Sequence, residues 1–183
     1  MNFKNIPDKR IDKNTTSLKF KKDLIDFFSD KRLGSCLEVG TNLGWTTKIL
    51  SNIFKEVHTI ELSPLFIERA KEHNKEKTNV RFHNIDATKR WNINEDTFDV
   101  IFIDCIHTRA AVIEDIRQGL EYSPKYLVFD DFGLIPAVKG AVLDFVEANK
   151  EHNIKITYIG EPEGSEPRIG KKLVDWEGVI LTV

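Results

Sequence analysis

Val100-Ile101-Phe102-Ile103 and Leu127-Val128-Phe129 are unbroken apolar runs, and each is closed by an aspartate, Asp104 and Asp130 respectively. A strand with one wet face alternates apolar and polar residues. A strand without that alternation is buried on both faces, which is the habit of a parallel sheet covered by helices. Outward from these runs, shorter apolar segments at 36–39, 57–60, 80–82, 154–159 and 178–183 read as further strands. Helix-periodic segments at 44–54, 63–74, 108–122 and 134–149 fall between the strands, with a weaker helical turn at 88–92. Leu18, Leu24, Ile25, Phe27 and Phe28 recur at helical spacing and predict a leading helix from Thr15 or Thr16 to Arg32.

The order is β-α repeated, so the fold class is α/β: a Rossmann-like, doubly wound, mostly parallel seven-stranded sheet with helices on both faces. The stretch between the last two strands holds a long Gly-, Pro- and charge-rich loop at 161–172 and no helical period. A hairpin is the simplest connection there, which makes the last strand antiparallel. No repeat or linker divides the 183 residues, so one domain is expected over 1–183, with an N-terminal arm and helix at 1–34 and a ligand-binding core at 35–183.

The composition, 40% hydrophobic and 31% charged, is that of a soluble globular protein. A formal charge of −2 argues against a global field for nucleic acid. The basic N-terminal stretch interleaves Asp8, Asp12 and Asp23 among its lysines, the pattern of a solvated face. No run suggests a signal peptide or a membrane span, so the expected location is the cytoplasm. Cys36 and Cys105 have no partner at metal-ligand spacing and read as buried free thiols.

Ligands of open α/β sheets bind beyond the carboxyl ends of the strands, where the winding reverses. Three strand ends carry unusual residues. The first is Leu37-Glu38-Val39-Gly40-Thr41-Asn42-Leu43-Gly44-Trp45-Thr46-Thr47. Its glycines permit a tight turn and a close backbone approach, and the helix that follows presents free N–H groups to the same crevice. The second is Ile60-Glu61-Leu62-Ser63, with Glu61 23 positions beyond Glu38 and so at about the interval at which an acidic residue meets ribose hydroxyls in dinucleotide-type sites. Ser63 with Pro64 supplies the helix cap, which leaves Glu61 for a ligand.

The third is the pair of ends Asp104-Cys105-Ile106-His107 and Asp130-Asp131. If the two strands are neighbours, Asp104 and Asp130 lie roughly 5 Å apart and require either a compensating cation or a proton. Oxygen ligands of this kind suit Mg²⁺, with Asp131 completing the set; the plainer alternative is that Asp104 holds a ligand amine while Asp130 or Asp131 caps a loop. His107 stands where it could take a proton near neutrality. Asp86 and Ala87, after the third strand, are placed to meet an adenine, although a turn aspartate is equally ordinary. Arg168, Lys171 and Lys172 read as a solvated cluster with the option of binding an anion.

The run Cys36-Leu37-Glu38-Val39-Gly40-Thr41-Asn42-Leu43-Gly44 resembles the first motif of class I S-adenosylmethionine-dependent methyltransferases, Glu-x-Gly-x-x-x-Gly, and Glu61 matches their acidic ribose ligand. Phe102-Ile103-Asp104 with His107, followed by Val128-Phe129-Asp130-Asp131, is similar to a branch of small O-methyltransferases related to the catechol and macrolide-sugar enzymes. The likeness covers residues 36–146. It implies S-adenosylmethionine as cofactor, held by Glu38, Gly40, Thr41, Asn42, Gly44, Thr46, Glu61, Leu62, Asp86, Ala87 and Asp104. It also implies Mg²⁺ on Asp104, Asp130 and Asp131, with His107 and Asp104 as the catalytic pair. Arg109 departs from the branch, which often has Tyr there.

The expected activity is therefore O-methylation of a small-molecule hydroxyl, with divalent-metal assistance as an option. Two alternatives stand beside it: a nicotinamide-dinucleotide oxidoreductase, which shares the glycine turn and the acidic residue, and a non-catalytic S-adenosylmethionine-binding module. The spacing Gly-x-x-x-Gly in place of Gly-x-Gly-x-x-Gly speaks against the first. The expected partner is a small-molecule methyl acceptor, with neither nucleic acid nor membrane, and a homodimer is compatible with the sequence.

Overall fold

The structure is a computed structural model that describes residues 16–167 and 170–183. Seven strands form one sheet: β1 (Ser35–Val39), β2 (Glu56–Glu61), β3 (Val80–Asn84), β4 (Val100–Ile103), β5 (Tyr126–Phe129), β6 (Lys155–Ile159) and β7 (Gly178–Thr182). Their order is β3-β2-β1-β4-β5-β7-β6. β1 pairs in parallel with both β2 and β4, β4 with β5 and β2 with β3, while β7 runs antiparallel to β5 and β6. The doubly wound sheet with an antiparallel last strand is the one the sequence predicts.

Among the described residues five α-helices cover it: α1 (Leu18–Phe28), α2 (Trp45–Ile53), α3 (Pro64–His73), α4 (Arg109–Leu120) and α5 (Pro136–Ala148). The central strands feed two cores by alternation. Cys36, Val57, Val100, Phe102, Val128 and Ile180 pack with Phe20, Leu24 and Phe28 of α1 and Leu50 of α2. Leu37, Val39, Ile101, Ile103, Leu127, Phe129, Val179 and Leu181 face the other way, with Val112 and Ile116 of α4 and Val138 and Val142 of α5. Period-two side-chain direction thus divides each apolar run between the two helical layers.

Helix ends follow local chemistry. Ser17, Ser63 and Thr108 cap α1, α3 and α4, their hydroxyls accepting from Phe20, Phe66 and Ala111 N–H. The leading helix is shorter than its periodicity suggests, ending at Phe28, and Thr15 lies outside the described residues. The helical turn expected at 88–92 is a turn of another kind. Asp86 accepts from the N–H and hydroxyl of Thr88, and Gln118 of α4 ties the loop down by accepting from Trp91 N and donating to Lys89 O. An Asx turn offers the backbone a competing partner and stops helix growth.

At the amino edge of the sheet Asp99 accepts from Gly34 N and Ser35 N and pairs with Lys125 at 2.7 Å, binding the starts of β1, β4 and β5 together. Glu177 does the same at the opposite edge, accepting from Ser17 N at 2.7 Å and Glu161 N at 3.0 Å. Asp99 thus ties strand starts together, Glu177 docks α1 and the β6–β7 connection onto the sheet, and the carboxyl ends of β1, β2, β4 and β5 form a cleft.

Candidate active site

The winding direction reverses between β1 and β4, and the loop after β1 is shaped for close contact there. Gly40, Asn42 and Gly44 all have positive φ, at 101°, 48° and 76°. A Cβ on Gly40 would sit 2.1 Å from the carbonyl oxygen of Asp104, so only glycine allows the ends of β1 and β4 to meet. A Cβ on Gly44 would fall 2.8 Å from that of Ala70 on α3. Two supports of this loop escaped the sequence reading. Asn74 donates to Gly44 O at 3.0 Å, and His73 Nδ1 lies 2.7 Å from Leu43 O while its ring stacks on Trp45 at 4.2 Å. Both come from the end of α3, and nothing in the local pattern marks them.

Glu61 is held by both oxygens, accepting from Asn42 N and from Ser63 N at 2.9 Å each. Its carboxylate faces a cleft of about 370 Å³ lined by Gly40, Asn42, Glu61, Phe66, Asp104, Cys105, His107 and Asp131. The rims of four strands therefore converge. Phe66 and Cys105 are additions to the sequence reading; Cys105 is only half-buried, against the expectation of a buried thiol. Burial, and then the charge of Asp115, push its thiol up to about 12, so it is not a nucleophile near neutrality.

Other residues expected at the cofactor are placed differently. Thr41 is buried, its hydroxyl directed to Thr59 and Ile60 O of β2. Thr46 is half-buried in the first turn of α2, Leu62 is exposed, Asp86 is engaged in its own turn and Ala87 belongs to the core. None of these lines the cleft. Arg109 leaves the site altogether to pair with Asp144 on α5. Lys171 and Lys172 are exposed, and Arg168 lies outside the described residues.

Glu38 lies beneath the glycine loop, fully buried. Its Oε2 accepts from Thr47 at 2.5 Å and Thr59 at 2.6 Å, while Oε1 has no hydrogen-bond partner among the described residues. Burial raises its pKa from 4.5 to about 8; the threonine hydrogen bonds oppose the shift and the charges of Asp104 and Glu61 add to it. The folded state thus holds a proton that the unfolded chain releases, so stability falls as pH rises from about 4.5 to about 8. Glu38→Gln, which keeps an acceptor for both threonines, should unfold at nearly the wild-type temperature at pH 5 and above it at pH 9. Parallel melting curves for the two proteins across that range would refute the assignment.

Beyond β4 and β5 the side chains gather more tightly. His107 Nε2 lies 3.2 Å from Asp104 Oδ1 and 3.6 Å from Asp131 Oδ2. One ligand atom from each of the three residues falls within 4.8 Å of the others. Asp131, at φ 58°, is almost fully buried. Asp130 is buried as well and does not belong to this group, which joins Asp104 and Asp131 with His107. Of the aspartate pair, Asp131 is the one that lines the cleft.

The arrangement has known counterparts. Residues 36–122 match the model of a methyltransferase domain.

Among solved structures, the chain resembles the O-methyltransferase TomG of Streptomyces achromogenes, solved with S-adenosylmethionine, at TM-score 0.68 and 19% identity over 92% of this chain and 80% of the other. An O-methyltransferase from Bacillus cereus, solved with S-adenosylhomocysteine, follows at 0.65 and 19% over 92% and 81%. The tRNA (m1A58) methyltransferase of Aquifex aeolicus shares the fold at 0.60 and 18% over 91% and 69%. At such identities the likeness shows the fold alone. No curated protein matches the sequence. Among the described residues no helix is long and apolar enough to cross a membrane.

Proposed function

We propose that this chain is a class I S-adenosylmethionine-dependent methyltransferase that transfers the methyl group to a hydroxyl of a small molecule, with the acceptor oxygen beside Asp104, His107 and Asp131. The observation that carries the reading is one cleft shared by the glycine loop, Glu61 and that cluster. Glu61, anchored by Asn42 and Ser63, presents carboxylate oxygens to the ribose hydroxyls. The loop around Gly40 lets the aminoacyl end approach the backbone.

Methyl transfer from a sulfonium is an in-line displacement. The hydroxyl oxygen bonds to the methyl carbon as the C–S bond breaks; that electron pair returns to sulfur, leaving S-adenosylhomocysteine, and the hydroxyl proton passes to His107. An imidazole between two carboxylates is suited to this, because the imidazolium it becomes lies within 3.6 Å of both. Most of the remaining catalysis is alignment and exclusion of water. The oxygen donors of Asp104 and Asp131 also fit a divalent ion such as Mg²⁺, which when bound would lower the pKa of the acceptor hydroxyl.

The test separates this reading from a nicotinamide enzyme and from a silent binding module. S-adenosylhomocysteine at about 100 times its Kd should stabilise the protein by about 2.7 kcal/mol, and NADH or NADPH should not. Labelled methyl transfer to a panel of small-molecule hydroxyls should follow. Stabilisation by NADH would support the oxidoreductase, and cofactor binding with no transfer across the panel would support the binding module.

A further inference from the structure

We infer that His73 and Asn74, at the end of α3, are positioning residues for the cofactor: they hold the carbonyls of Leu43 and Gly44, so that the glycine loop has its binding shape before S-adenosylmethionine arrives. This role rests on the proposed function, which places that cofactor on the loop.

Three observations carry it. The first is continuity of attachment. Asn42 N donates to Glu61 at 2.9 Å, Leu43 O lies 2.7 Å from His73 Nδ1, and Gly44 O accepts from Asn74 at 3.0 Å. Three consecutive residues of the loop are thus tied to one segment, which begins at Glu61 and ends at the two positioning residues.

The second is that the chemistry of each contact leaves one arrangement. A carbonyl oxygen only accepts, so His73 Nδ1 carries the hydrogen. Asn74 faces two carbonyls, since it also donates to Ala70 O at 2.9 Å, and a flipped carboxamide would set oxygen against oxygen at both. The side chain is buried and keeps this orientation although its Oδ1 has no hydrogen-bond partner among the described residues.

The third is fit. A Cβ on Gly44 would fall 2.7 Å from Asn74 Nδ2, so the missing side chain at 44 is what lets α3 reach the loop. The end of α3 is fixed in turn from α2, where Lys48 donates to His73 O at 3.1 Å and pairs with Glu76 at 2.6 Å.

Neither His73 nor Asn74 lines the cleft, so their effect is on the loop and not on the bound ligand. Where only a fraction of molecules holds the binding shape, apparent affinity falls by that fraction. A loop already tied at three successive residues has little freedom left to lose when the ligand enters. Releasing the hold therefore slows association and leaves dissociation alone.

The experiment follows S-adenosylhomocysteine binding to the full chain by stopped flow, far below the melting temperature of each variant, so that global stability does not enter. His73→Phe keeps a ring against Trp45 and loses the donor, whereas His73→Asn keeps a donor near the Nδ1 position and loses the ring. His73→Phe should slow association about three- to tenfold, the worth of one net hydrogen bond, with dissociation within about twofold of wild type. Asn74→Asp, nearly isosteric and without the donor, should do the same. His73→Asn should restore association to within about twofold of wild type. Without ligand, hydrogen exchange of the Gly44 amide, which donates to Thr41 O at 2.9 Å, should quicken in His73→Phe and not in His73→Asn.

Wild-type association in His73→Phe overturns the inference. So does faster dissociation at an unchanged association rate, the mark of a residue that touches the ligand itself. Slowed association that His73→Asn fails to restore overturns it too, because the ring and not the donor would then be responsible. Should Asn74→Asp fail to fold, the two His73 variants decide alone. A wild-type chain that shows the expected exchange pattern and does not bind S-adenosylhomocysteine would sink the methyl-transfer reading instead, and leave the hold on the loop standing.

Discussion

Gly40→Ala is expected to abolish cofactor binding and to cost more than about 3 kcal/mol of stability, the sum of a strained left-handed residue and an overpacked contact. The added methyl would meet the Asp104 carbonyl oxygen at 2.1 Å and its carbonyl carbon at 2.8 Å. Both are backbone atoms, so no side-chain rotation relieves the clash. β1 and β4 would have to part at their carboxyl ends, where Asp104 N donates to Val39 O at 3.0 Å. For a domain of this size the melting temperature should fall by roughly 6–12 °C. S-adenosylhomocysteine should no longer raise what remains. A Gly40→Ala protein that melts within a degree or two of wild type and still binds the ligand would mean that the two strand ends do not approach as described.

The second large effect concerns chemistry and spares the fold. His107→Ala should lower the rate of methyl transfer about 10²–10⁴-fold, the usual contribution of a positioned proton acceptor. Affinity for S-adenosylhomocysteine should stay within about threefold of wild type, because Glu61 and the glycine loop are untouched. His107 is half-buried in a loop and caps no helix, so stability should change little. Single-turnover transfer with the acceptor in excess, beside a binding isotherm for S-adenosylhomocysteine, separates the two quantities. An unchanged transfer rate would remove His107 from the reaction as proton acceptor. A parallel loss of binding would place it in the cofactor site instead.

The architecture was legible because its physical cause is local. Unbroken apolar runs such as 100–103 cannot lie on a wet face, and the periodic segments between them can only cover the sheet. The glycine turn and Glu61 were legible for the same reason, since positive φ and a carboxylate at a strand end are properties of single positions. What the sequence leaves open is a choice of direction. Thr41 and Thr46 sit in the right loop, yet Thr41 turns to β2 and Thr46 lines no part of the cleft. Asp86 was open to two readings, and in this structure the Asx turn with Thr88 is the one formed.

By itself, then, the sequence determined the layered α/β sheet, its antiparallel last strand, and the set of strand ends at which a ligand can bind, because burial and backbone freedom are written residue by residue. Only the tertiary structure decided that His107 rather than Asp130 joins Asp104 and Asp131, that Asn74 and His73 brace the glycine loop, and that Arg109 leaves the site for Asp144. Those outcomes depend on distances between elements far apart in the chain, and a spacing rule read along one strand cannot measure them.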